Sequence, residues 1–114
     1  MESSILVSIK KLLGIEEEYT HFDSDIIMHI NFAFMNLNQL GVGETIGFKI
    51  EDDEAIWDDF IGERLDLEGV KTFIYLKVRL IFDPPQTGFL VDAIKEQIKE
   101  LEWRLNVQVE GGGS

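Results

Sequence analysis

From Leu90 to Leu105 the apolar residues return every three or four positions: Leu90 or Val91, Ile94, Ile98, Leu101, Leu105. That spacing brings them to one side of an α-helix and scatters them in any strand. The remaining arc is of mixed charge. Glu100 and Arg104 are spaced to attract across one turn, and Asp92 and Glu96 to repel. A helix that is apolar along one side needs partners to cover it, so the rest of the chain must supply matching faces.

It does so in two further segments. Ser3 or Ser4 is placed to cap a helix over "ILVSIKKLL". There Ile5, Ile9, Leu12 and Leu13 make the stripe, with Leu6 on its flank. Lys10 and Lys11 fall near the end, where cations suit the helix dipole, and Gly14 follows as the terminator. "IEEEYTH" reads as a polar connector. Asp23 or Ser24 then caps a second helix with Asp25 in its first turn. Its stripe is Ile26, Ile27, Ile30, Phe34, Leu37 and Leu40, and Gly41 ends it.

Two segments are harder to read. In residues 74–82, Ile74, Leu76, Val78, Leu80 and Phe82 alternate with Tyr75, Lys77 and Arg79, as in a half-buried strand. The same region also follows helical spacing, with Leu67, Val70, Ile74, Val78 and Ile81 on one face. Asp66 is its cap, Glu68 lies in its first turn and Pro84–Pro85 is its stop. The length and the caps favour the helix. In "EDDEAIWDDF", residues 51–60, six acids surround Ile56, Trp57 and Phe60. Asp52 and Asp53 are expected to open a short helix with these three apolar residues inward. "GVGETIGFKI" reads as a loop with a short extended piece at Phe48–Ile50. The expectation is a small all-α bundle of four to five helices in one domain over residues 1–106. An extended, flexible tail follows over 107–114, of which 111–114 resembles a linker scar.

Composition narrows the function. The formal charge of −12, from 22 acids against 10 bases, repels phosphate backbones and anionic membranes. No apolar run approaches the ~20 residues needed to span a bilayer. Without cysteine there is neither a disulfide nor a thiolate nucleophile. The acids of 51–60 lack the alternation and central glycine of a calcium loop, and His21 and His29 are not one helical turn apart. No serine sits in a G-x-S-x-G elbow, and the glycines at 41–47 lead into no helix that could cradle a phosphate. No enzyme, metal site or cofactor is expected. Trp103, Val107 and Val109 lie off the helical stripe or past it, as large apolar groups at an interface do. On composition alone, an acidic module that mimics DNA and blocks a DNA-binding protein is the competing reading.

The ordered set "SIKKLLGI", "HFDSDIIMHIN", "LGVG", "IEDDEAIWDDFI", "VKTFIYLKVRLIFDPP" and "IKELEWRLNV" resembles phage head–tail connector (adaptor, or head-completion) proteins over residues 3–109. The resemblance implies a structural protein of the virion neck, found in the host cytoplasm during assembly. It would form a ring of its own copies, commonly a dodecamer, beneath the portal protein. Such a ring extends the DNA channel, binds the DNA passing through in no specific way and meets the next neck or tail-completion protein. By position, portal contact would fall to Trp103, Leu105, Val107 and Val109. Contact with the next ring or a neighbouring subunit would fall to Gly41, Val42, Gly43, Ile46 and Phe48. Glu51, Asp52, Asp53, Glu54, Asp58 and Asp59 would line the channel or form a solvated outer face.

Overall fold

The computed structural model describes residues 4–42, 47–60 and 67–112, with side chains of the last segment described for 68–107. Four α-helices follow in order: α1 (Ile5–Leu12), α2 (Asp23–Gln39), α3 (Leu67–Phe82) and α4 (Gly88–Gly112). A 3₁₀ turn, Trp57–Asp59, lies between α2 and α3. The described residues hold no strand. An isolated antiparallel bridge joins Ser4 to Ile56, where the Ile5 amide donates to the Ala55 carbonyl at 2.9 Å.

Helix α3 is the centre of the bundle and packs against α1, α2 and α4. Surrounded in this way, it buries more than one stripe: Val70, Phe73, Ile74, Leu76 and Val78 are all inside. This explains the mixed pattern of residues 74–82. A helix covered on several sides can be apolar at alternate positions as well as at helical ones. Each such side chain contributes about 1.5–3 kcal/mol on burial. Ile81, expected on the buried face, is instead 53% exposed.

The helix ends follow local chemistry. Ser4 Oγ accepts from the Val7 amide and caps α1. Gly14 and Gly41, both near φ +80°, close α1 and α2 with the same paired bonds. After α1 the Gly14 amide donates to Lys11 and the Ile15 amide to Lys10. After α2, Gly41 donates to Asn38 and Val42 to Leu37. Leu37 and Val42 are both buried, which adds the hydrophobic contact that accompanies this motif.

Asp23 is not a cap. It is the first residue of α2, and its carboxylate lies 2.8 Å from Lys10 Nζ. Lys10 is buried, only 2% exposed, and its ammonium also donates to the carbonyls of Glu17 (3.0 Å) and Tyr19 (2.7 Å). One cation thereby fastens the connector between α1 and α2. Two other expectations change. Residues 51–53 form bends rather than the start of a helix. Residues 107–112 continue α4 rather than forming an extended tail, so the helix runs well past Asn106. Asn106 itself donates to the Leu40 carbonyl at 2.8 Å and ties α4 to the end of α2.

Removing a buried charge from its pair exposes the partner's cost. Lys10→Ala should therefore lower stability by about 3 kcal/mol, read as the urea midpoint of unfolding. Lys11→Ala, at the neighbouring exposed position, should change it by less than about 0.5 kcal/mol.

Candidate assembly surfaces

The acidic segment is fixed by its apolar residues. Trp57 is buried, and its indole N–H donates to Ser8 Oγ at 3.1 Å. Ser8 donates in turn to the Ser4 carbonyl at 2.7 Å. Lys71 Nζ lies 5.9 Å from the centre of the Trp57 ring. Phe60 packs with Phe34 and Phe48, ring centres 4.6–5.3 Å apart. Ile56 is half-buried, so two of the three expected inward residues lie fully inside. Asn31, on α2, both donates to the Ile50 carbonyl (2.9 Å) and accepts from its amide (2.7 Å). That clip holds residues 48–50 against α2 in place of a strand partner. Asn31 is one of three asparagines in the helical run, and nothing local marks it out for this role.

With the apolar residues inward, all six acids face water: Glu51, Asp52, Asp53, Glu54, Asp58 and Asp59 are exposed. Two of them also shape the backbone. Asp52 Oδ1 accepts from the Glu54 amide and Asp59 Oδ2 from the Ile56 amide, each at 2.9 Å. Among the described residues the ion pairs are Lys10–Asp23, Lys99–Glu96 and Arg104–Glu100, so none involves this segment. No group of three or more described His, Asp or Glu side chains is placed to hold a metal ion.

The other expected contacts separate. Trp103 and Val107, one turn apart on α4, are 67% and 42% exposed, whereas Leu105 between them is 1% exposed and belongs to the core. Leu105 cannot reach a partner without dismantling the bundle. The side chain of Val109 lies outside the described residues. In the glycine loop, Gly41 is exposed, Val42 is buried and Phe48 is half-buried among aromatic rings. Gly43 and Ile46 lie outside the described residues. One apolar surface went unread: Met28, Phe32 and Met35 are exposed at i, i+4 and i+7 on α2, on the side away from its buried stripe. Its spacing was legible, but the stronger Ile26–Leu37 stripe on the same helix masked it.

These features define a small helical protein with apolar and acidic surfaces turned outward from a closed core, the form of an assembly component. A family model described as phage connector protein matches residues 5–112, and the chain belongs to that family. Members are structural proteins of the head–tail connection at the virion neck, in contact with other head and tail proteins of the phage. No helix among the described residues is long and apolar enough to cross a membrane. Comparison with curated proteins and with solved structures gives no match.

The two neighbouring sites on α4 should respond in opposite ways to truncation. Leu105→Ala should cost about 3 kcal/mol in chemical unfolding. Trp103→Ala should stay within about 0.5 kcal/mol of the parent chain.

Proposed function

We propose that copies of this chain form a ring, a dodecamer, between the portal and the tail, and that the ring prolongs the DNA passage. The observation that carries this reading is the pairing of family membership with large apolar side chains the fold leaves uncovered. Trp103 and Val107 stand on one surface of α4, and Met28, Phe32 and Met35 on one surface of α2. Exposed groups of this size suit contact with another protein. Trp103 and Val107, with Val109 beyond them, form the portal contact in this reading. Residues 41–48 meet the next neck or tail-completion protein or a neighbouring subunit. Val42 and Phe48 anchor its two ends, and Gly41, Gly43 and Ile46 are the contact candidates within it. Some of the acids of the Glu51–Asp59 segment rim the passage and keep DNA sliding without specific binding. Their repulsion acts over a screening length of ~8 Å at physiological salt. Assembly takes place in the host cytoplasm. No step of the role is catalytic.

The experiment is binding to purified portal rings, followed by mass photometry. The parent chain should add to each portal ring in a fixed multiple. Trp103→Ala combined with Val107→Ser should leave thermal unfolding unchanged and weaken portal binding by about tenfold or more. Parent-level binding by that variant would remove the portal role from this surface. A chain that binds basic proteins in a salt-sensitive way and ignores portal rings would replace the whole reading with that of a DNA mimic.

A further inference from the structure

The charge of the chain is unevenly placed. Residues 1–68 carry 16 acids and 4 bases, and residues 69–114 carry 6 of each, so the first part alone accounts for the net −12. Copies this acidic repel one another unless acids of one meet bases of the next. The loop Glu51–Glu54 offers four consecutive exposed carboxylates, and the bond from the Glu54 amide to Asp52 fixes its bend. None of the four has a base within 4.0 Å among the described residues.

The matching bases lie along α1 and α3. Helices α1 and α3 frame a groove of about 480 Å³ lined by Lys11, Lys71 and Tyr75. Arg79, one turn beyond Tyr75 on α3, donates to the Tyr75 hydroxyl at 3.2 Å and extends the same cationic side. None of these three cations has a carboxylate within 4.0 Å among the described residues. Glu68 also lines the groove and has an interaction of its own within the chain, so the lining holds two cations and one acid, with Arg79 just beyond it. Thr72 adds a hydroxyl to the wall, which suits a carboxylate oxygen.

We propose that the Glu51–Glu54 loop of one copy docks in the Lys11–Lys71–Arg79 groove of the next. Neither set has an opposite charge within 4.0 Å among the described residues, and the two are separate patches of residues. Repeated in one direction from copy to copy, such a loop-to-groove contact closes a ring or propagates a filament, whereas a reciprocal pair of them would stop at a dimer. The inference rests on the ring reading and supplies its subunit contact. It also leaves Asp58 and Asp59 as the acids of the segment that face the passage.

The test is charge exchange. One variant carries Lys11→Glu and Arg79→Glu and keeps Lys71, which lies over Trp57. The other carries Glu51→Lys and Asp53→Lys and keeps Asp52, which shapes the bend. Circular dichroism and thermal unfolding establish that both fold. Each alone should need a concentration about tenfold or more above the parent to assemble, by mass photometry with and without portal rings. An equal mixture should assemble near the parent concentration, since each altered groove then meets an altered loop. Parent-like assembly of either variant alone overturns the docking and leaves the ring reading standing. So does a mixture no better than its parts. A parent chain that never self-associates, with or without portal rings, overturns the ring reading and the docking with it.

Discussion

The structure depends on the burial of α3 from three sides. Val70, Phe73, Ile74, Leu76 and Val78 point into α1, α2 and α4 at once, and each of those helices is one-sided because α3 supplies the other side. In so small a domain only about two-thirds of the unfolded chain's surface can be buried. The central helix is where that burial concentrates. It also decides what is left outside. Among the described residues no helix covers the outer faces of α2 and α4, which leaves Met28, Phe32, Met35, Trp103 and Val107 exposed.

Polar clips complete what apolar packing cannot specify. Lys10 closes the α1–α2 connector on Asp23 and two carbonyls, Asn31 holds Ile50, Trp57 holds Ser8, and Asn106 holds the end of α2. Each satisfies backbone or side-chain groups that would otherwise be desolvated without a partner. Together they attach the irregular parts of the chain, the connector and the 48–60 segment, to the regular ones. The acidic segment therefore belongs to a fixed body: its tryptophan and phenylalanine are rooted in the core while its carboxylates point outward.

The parts legible in the sequence were those governed by local period and local caps. The α4 stripe, the Ser4 cap and the glycine ends at 14 and 41 could be read because their causes lie within a few residues. The helical reading of 67–82 rested on length and caps, and the structure supplies the tertiary reason for the competing alternation. What escaped were pairings over distance. Lys10 looked like an ordinary cation at a helix end because Asp23 is thirteen positions away, and Asp23 looked like a cap for the same reason. Leu105 was grouped with Trp103 and Val107 by proximity in sequence, although helix geometry turns it the opposite way. The family itself was legible from the order of segments, because many weak local features in sequence carry more than any one of them.

The account's central claim is that a rigid interior organised by α3 carries the assembly surfaces ready-made. Amide hydrogen exchange on the free chain and on the chain bound to portal rings tests this most directly. The account predicts that the amides of Phe73–Val78 are the slowest to exchange in both states, and that binding adds protection only at surface elements such as the end of α4. Amides of α3 that exchange as fast as those of residues 51–54 in the free chain, and slow only on binding, would contradict it.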